Sequence, residues 1–353
     1  MTAIRALIAI FIGLCLSVLL WVVVPYNNFL LNNSYISDSY LPEIVLLLIV
    51  LLVLILNPLL NRISPPLAFT QSQIILIVSM LLFAAVIPGN GLMRFFPHSL
   101  ALANQQINDS SMVAEAVASS TLPEALFIDA IGPGFDTPVV DAFLDELHLD
   151  ASIPWAAWIR PMFAWGVLIV AFWVLMIGLG FMVLPQWLYH ERLPFPLLRI
   201  YGAIVEKPQN GGHLGPLFKS RSFWIGCGVV FFLYSTNGLA IFTRGAFPAF
   251  PLRWDISFLF ADGVWRHAPG FLKGSQIYFL FVGLAYFMPN RYSFSIWFMV
   301  LAYGLFIMVA RTYLPQFQPA SIYDQTSGAF IAMAAWIVWL GRHTYGRLLL
   351  SAI

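Results

Sequence analysis

The residues able to do chemistry are spread thinly along this chain of 353 residues. The short motifs that mark serine hydrolases, zinc proteases, dithiol redox sites, phosphate loops and dinucleotide sites do not occur in the sequence. The six histidines lie far apart, and no two share one helix at ligand spacing. Cys15 and Cys227 lie in apolar runs without metal spacing. We therefore predict a protein that is not an enzyme, with no catalytic residues, no cofactor and no metal site.

The strongest candidate binding site is an interruption of an apolar helix at residues 88–98. Prolines and glycines there bracket an amide, a guanidinium and an imidazole, which belong to Asn90, Arg94 and His98. Where Gly and Pro interrupt a membrane span, backbone N–H and C=O groups leave helical pairing and become available to a solute. Arg94 would then bind an anionic group. An ordinary loop that leaves the membrane explains the same residues equally well.

Weaker signals lie in the second half of the chain. Asn237 falls in a polar stretch, residues 234–238, within an otherwise apolar helix. Either interhelical hydrogen bonds or a substrate contact would explain this amide. Two neighbouring pairs of opposite charges predict ion pairs or gates: Glu191 with Arg192, and Arg253 with Asp255.

The composition shows which kind of element must position these residues. Hydrophobic residues make up 60% of the chain and charged residues only 9%, against about 25% charged in soluble domains. The solvent of such a chain is the lipid bilayer. The net charge is +1, and no basic tract is present that would hold phosphates, so nucleic acid is not an expected partner.

The predicted fold class is an all-α integral membrane protein. A bilayer core of about 30 Å requires about 20 mostly apolar residues per helix, and the sequence offers about eight such runs. The predicted spans are 6–24, 41–60, 69–88, 157–184, 222–242, 274–289, 293–311 and 326–341. Most Lys and Arg residues fall on one side if both termini are cytoplasmic, which predicts an N-in and C-in, multi-pass protein of the bacterial inner membrane.

Three regions follow from this pattern: residues 1–98 with three spans and the helix break, 99–154, and 155–353 with five spans. Region 99–154 is acidic and is predicted to form an extracytoplasmic cap, either a solvated loop domain or a vestibule that collects cations. Residues 185–221 form a cytoplasmic loop. Segment 244–273 alternates aromatic residues with prolines and glycines, so we expect it to lie in the membrane interface or to re-enter the bilayer.

Several stretches resemble one known group of membrane proteins. The run from Pro154 to Pro161, the motif from Glu191 to Pro196, and the stretch from Gln325 to Phe330 are similar to an uncharacterised bacterial family allied to the oligopeptide transporter superfamily. The second of these resembles the Leu-Pro-Phe-Pro element on the cytoplasmic side of those transporters. The resemblance covers most of the chain and implies a secondary transporter fold driven by an ion gradient.

The chain departs from that superfamily in size, because its members have about twice as many spans. It therefore resembles an N-terminal half, and we expect a homodimer or a second half-transporter chain. The predicted function is a half-size carrier that moves a small peptide or a similar organic or metal-chelate solute. The alternative is a structural or accessory subunit of a larger energy-transducing membrane complex, which the many aromatic residues also suit.

Overall fold

The computed structural model describes residues 3–89, 92–119, 123–131, 136–145, 152–207, 214–314, 316–317 and 319–351. Helices account for most of these residues, and the described strands form one two-stranded sheet. The chain divides into two compact units, one that ends at Gly180 and one that begins at Phe181.

The helices that begin before residue 180 form three apolar segments, then the helices of the cap, and then the long helix α8. Their bounds are α1 (Ala3–Pro25), α2 (Glu43–Leu51), α3 (Asn57–Ile63), α4 (Gln71–Ala85), α5 (Phe96–Asp109), α6 (Ser111–Ala118), α7 (Pro138–Leu144) and α8 (Trp155–Pro185). Single π-helical turns extend three of these segments: Tyr26–Leu30, Leu52–Leu56 and Gln186–Glu191. Short 3-10 turns occupy Pro65–Leu67 and Glu124–Leu126.

The second unit continues with helices and a small hairpin. Its elements are α9 (Pro196–Ile204), α10 (Pro216–Lys219), α11 (Arg221–Phe242), β1 (Arg253–Asp255), α12 (Gly270–Lys273), β2 (Gly274–Gln276), α13 (Phe279–Phe287), α14 (Asn290–Tyr313) and α15 (Pro319–Ser351). Two 3-10 turns, Ser257–Phe260 and Gly263–His267, lie between the strands.

Among the described residues, six helical segments are long and apolar enough to cross a bilayer. They are Ala3–Leu30, Glu43–Ile63, Pro65–Ala85, Trp155–Glu191, Arg221–Phe242 and Asn290–Tyr313. Each overlaps one predicted span, which confirms an α-helical, multi-pass membrane protein.

The two remaining predicted spans differ from the expectation. Residues 274–289 begin with strand β2, whose backbone pairs with β1, and continue as α13 of only nine residues. At 1.5 Å per residue α13 is about 14 Å long, which is half of what a bilayer core requires. Helix α15 covers residues 326–341 and has ample length, but it is not apolar enough to join the six. The number of eight spans therefore stays a prediction.

Helices α1 and α4 of the first unit pack against each other along most of their length. The Gln73 amide donates to the Arg5 carbonyl at 2.9 Å near one end, and the Trp21 indole N–H donates to the Ala84 carbonyl at 3.0 Å near the other. Between them Gly13 admits the Met80 side chain, because a Cβ at Gly13 would lie 2.6 Å from the Met80 sulfur. The contacts follow the same order along both helices, so the first and third spans run parallel. Parallel orientation is expected for them, because one further span crosses the bilayer between them.

The cap region has a small core of its own against the start of α8. The buried apolar residues of that core are Leu100, Ala101, Ile128, Val140 and Trp158. The Asn104 amide oxygen accepts from the backbone N–H groups of Ile128 and Asp129, at 3.0 and 2.9 Å. Asp129 in turn accepts from two N–H groups at the start of α7. Helices α6 and α7 also lie in this acidic region, of which residues 120–122, 132–135 and 146–151 lie outside the described residues.

The aromatic segment that follows α11 is folded into short elements and contains no long helix. Strands β1 and β2 pair in antiparallel register, with Trp254 opposite Ser275. Gly304 in α14 lets Phe271 and Leu272 pack closely on that helix, since a Cβ at this position would lie 2.7 Å from the Leu272 side chain. The short elements and the pairing explain why this segment forms no long helix.

Candidate functional site

The helix break after the third span comprises residues 86–95, of which the structure describes 86–89 and 92–95. Helix α4 ends at Ala85 and α5 begins at Phe96. The Met93 N–H donates to the Ile87 carbonyl at 2.9 Å, so part of the backbone in the break bonds to itself rather than standing open. Asn90 lies outside the described residues. His98 is exposed in the first turn of α5.

Arg94 contacts a segment that sequence reasoning had not connected with it. Its Nη1 atom lies 3.2 Å from the Oδ2 atom of Asp38, in the polar segment between the first two spans. The guanidinium carbon also lies 3.8 Å from the ring centre of Tyr35, in cation–π geometry. The Arg94 and Asp38 side chains are 28% and 11% exposed, so the carboxylate is largely withdrawn from solvent. We name Arg94, Asp38 and Tyr35 the arginine cluster.

The backbone comes very close to this cluster at Gly89. A Cβ at Gly89 would lie 2.6 Å from Asp38 Oδ1 and 2.7 Å from Ser37 Oγ. Only glycine fits this approach without displacing both side chains. The Ser37 hydroxyl is buried and finds no hydrogen-bond partner among the described residues. The turn before Arg94 and the segment before the second span therefore fit tightly together.

A signal for Asp38 was present in the sequence. It is the single acidic residue between the first span and Glu43. Successive spans alternate in direction, so the segment after the first span and the segment after the third reach the same side of the membrane. That rule brings Asp38 and Arg94 to one side, although it does not bring them to one contact.

Asn237 has a structural partner in the segment that follows its own helix. The Phe250 N–H donates to Asn237 Oδ1 at 2.7 Å, and Asn237 Nδ2 donates to the Phe250 carbonyl at 3.0 Å. The side-chain amide thus hydrogen-bonds both backbone groups of one residue in the aromatic segment, as a neighbouring β-strand would. These hydrogen bonds join α11 to the segment after it rather than to another helix, and the substrate contact of Asn237 stays a prediction. It belongs to the second unit, whereas Arg94 and His98 belong to the first.

The two predicted charge pairs do not form as direct ion pairs in the described part of the chain. Glu191 accepts from the Gln186 amide at 3.4 Å, and the Thr344 hydroxyl donates to the Gln186 oxygen at 2.9 Å. This network connects the end of α8 to α15. The backbone of Arg192 lies in the left-handed region, with φ +51°, and the chain turns there at the end of the helical segment.

Asp255 is held by its neighbour rather than by Arg253. Its Oδ1 atom accepts the Ser257 N–H at 2.8 Å. The hydrogen bonds from Ser257, assisted by the charge of Arg253, lower the pKa of the Asp255 carboxyl below its ordinary value of 3.8. Because this pKa is lowered, the Asp255 carboxylate stabilises the folded chain at pH values above the ordinary pKa. The contribution is lost as the pH falls through the pKa of the folded state.

An apolar pocket of about 420 Å³ lies next to the break, between α7 and the start of α8. Met93 and Pro97, the neighbours of Arg94 and His98 in sequence, form part of its wall. Within the described ranges no group of three or more His, Cys, Asp or Glu side chains is placed to hold a metal ion.

Comparison with known proteins gives a family but no activity. No curated protein and no solved structure matches the chain. One family, described as "Family of unknown function (DUF6785)", matches residues 2–353. A match of that length covers nearly the whole sequence, and the chain therefore belongs to the DUF6785 family of unknown function.

Proposed function

We propose that the chain is a half-size membrane carrier in which the arginine cluster receives an anionic group of the solute. The observation that carries this proposal is the pair formed by Arg94 and Asp38 at the break after the third span. A charged pair withdrawn from solvent at the end of apolar helices is costly to maintain, and in membrane proteins such groups mark solute or ion pathways.

The pair suggests how binding would be coupled to movement. A carboxylate or phosphate of the solute would take the place of Asp38 at the Arg94 guanidinium, which preserves the charge balance there. Asp38 would then separate from Arg94, and the segment before the second span would be free to move from the turn at Gly89. The solute class that fits is a small peptide or a similar organic or metal-chelate anion, moved with an ion gradient.

Further features of this proposal come from the sequence. We place both termini in the cytoplasm of a bacterial cell, with eight spans that include α13 and α15, and with the cap and segment 244–273 on the outer side. The resemblance to oligopeptide transporters supports the carrier mechanism and supplies the expectation of a second half.

The test is uptake by cells or proteoliposomes of an isotope-labelled panel of dipeptides, tripeptides and metal chelates. Arg94→Ala, alone and with Asn90→Ala, is expected to lower uptake at least tenfold, and Arg94→Lys is expected to retain part of it. Arg62→Ala is the matched control, because Arg62 is an exposed arginine at the end of another span. Unchanged uptake by the double variant at normal expression would contradict the proposal.

An accessory subunit is the second candidate, and one observation favours it. The most apolar window of the span Trp155–Glu191 has 0% of its residues buried inside the chain, and that of Arg221–Phe242 has 6%. These helices offer long apolar faces for lipid or for other subunits. Cofactor-bearing partners in the purified particle would favour this function over transport.

A further inference from the structure

The apolar pocket beside the helix break has walls from three parts of the first unit. Helix α7 contributes one wall, the first turns of α8 a second, and the turn before α5 a third. The residues that line it are Met93, Pro97, Val139, Ala142, Phe143, Ile153, Pro154, Trp155, Trp158 and Met162. Its volume of about 420 Å³ lies in the range of small-molecule sites, about 300–1,000 Å³.

Among the described residues, none of those that line the pocket carries a charge, and their polar side-chain groups are the indole N–H groups of two tryptophans. Trp158 is buried and belongs to the core of the cap, so one wall is fixed. The Phe143 ring stands 5.0 Å from that of Trp158. Met93 and Met162 add flexible thioethers, which adapt to apolar ligands of variable shape. The described lining of the pocket therefore suits an apolar ligand.

We propose that this pocket binds one acyl chain of a membrane lipid. A peptide in the same place would bury several backbone N–H and C=O groups against walls whose side chains offer at most two indole donors and no strong acceptor, which is costly. An acyl chain has no such groups. This inference does not rest on the carrier proposal, since it needs neither Arg94 nor transport.

The position of the pocket supports the same occupant. Trp155 and Trp158 lie in the first turn of the span Trp155–Glu191. Tryptophans at span ends lie at the membrane interface, where the acyl chains of the bilayer begin. A lipid of the outer layer can therefore place one chain between α7 and α8 while its other chain stays in the bilayer.

The test is photolabelling of the full chain in detergent by phosphatidylcholine that carries a diazirine on one acyl chain. Labelled residues are read by peptide mass spectrometry at increasing ratios of lipid to protein. We expect saturable labelling of the pocket wall, at residues such as Met93, Ile153 and Met162. Labelling near Phe172, an exposed residue further along the same helix, is expected to rise without saturation.

A pair of variants makes the test specific. Ala142→Phe fills the pocket and should reduce labelling of its wall at least tenfold. Ala156→Phe, on the exposed side of the same first turn of α8, should leave it unchanged. Labelling of the wall that does not saturate in the unaltered protein would overturn the proposal even if Ala142→Phe fails to fold. Displacement of the label by trileucine but not by unlabelled lipid would also overturn it, in favour of a peptide side chain.

Discussion

Arg94 and Asp38 connect two loops that are 56 residues apart in sequence. Replacement of Arg94 by Ala removes the positive charge 3.2 Å from a carboxylate that is 11% exposed. We expect a cost of about 1–3 kcal/mol in the free energy of unfolding, because a largely buried charge loses its counter-charge. Thermal unfolding of the purified protein measures this as a lower melting temperature.

The control for this prediction is Arg62→Ala, which should change the free energy of unfolding by less than about 0.5 kcal/mol, as exposed substitutions do. The double variant Arg94→Asp with Asp38→Arg should recover part of the lost stability. Equal melting temperatures for Arg94→Ala and Arg62→Ala would show that the pair contributes nothing to the fold.

Gly89 provides a second prediction at the same cluster. Gly89→Ala places a Cβ 2.6 Å from Asp38 Oδ1 and 2.7 Å from Ser37 Oγ, and both side chains must move. We expect a loss of about 1–3 kcal/mol, as in other overpacked sites. Gly178→Ala is the matched control, because nothing lies within 4 Å of its Cβ position in α8. Its gain in helix propensity should leave stability equal or slightly higher. A melting temperature that is the same for both variants would disprove the close approach.

The sequence predicts Arg94 as a site residue but gives no prediction for Asp38, its partner in the arginine cluster. Arg94 was found because a cation beside prolines and glycines at a span end is unusual in a chain with so few charges. Asp38 was missed because a single acid in a polar connection looks like any solvated loop residue. Asn237 was detected for the right reason, its polarity in an apolar helix, but its partner is the backbone of Phe250. Side-chain partners across loops depend on tertiary packing, which no local pattern specifies.

At the scale of elements, two asparagines perform the same structural task. Asn57 accepts the Phe69 N–H at 2.7 Å, and Asn237 accepts the Phe250 N–H at 2.7 Å. Each side-chain amide also donates to the carbonyl of the same phenylalanine. Each helix thus holds the segment that follows it through one residue of backbone, which satisfies polar groups that lipid could not.

Removal of one such contact should loosen the attached segment. Asn237→Ala loses both hydrogen bonds to Phe250, and we expect faster tryptic cleavage of the aromatic segment at Arg244 and Arg253, which are both exposed. Thr236→Ala is the control, since the Thr236 hydroxyl bonds only to carbonyls of its own helix. Time courses of proteolysis followed by mass spectrometry measure the two rates. Identical rates would mean that the aromatic segment is held by its other contacts.

Hydropathy predicted the long helices well, because the bilayer requires each span to satisfy its own backbone and to present apolar side chains. It did not predict strand β2, which begins the apolar run at residues 274–289. The backbone of Gly274–Gln276 pairs with Arg253–Asp255, and this pairing depends on residues some 20 positions away. Average hydropathy contains no information about such pairing.

At the scale of the whole molecule, the six long apolar helices differ in how much of their described surface is buried. The windows of Trp155–Glu191 and Arg221–Phe242 are 0% and 6% buried, whereas that of Pro65–Ala85 is 39% buried. Lipid alone can solvate such helices. A carrier, however, needs two sets of helices that move about a shared site, so the carrier account requires further helices to pack on these faces.

The subunit content of the particle extracted gently from its native membrane tests this account most directly. Native mass spectrometry of that particle gives the number and the identity of its chains. The carrier account predicts two copies of the 39.6 kDa chain, or one copy with a second multi-pass membrane protein. A single copy bound among cofactor-bearing subunits, or a lone monomer that transports nothing, would contradict it.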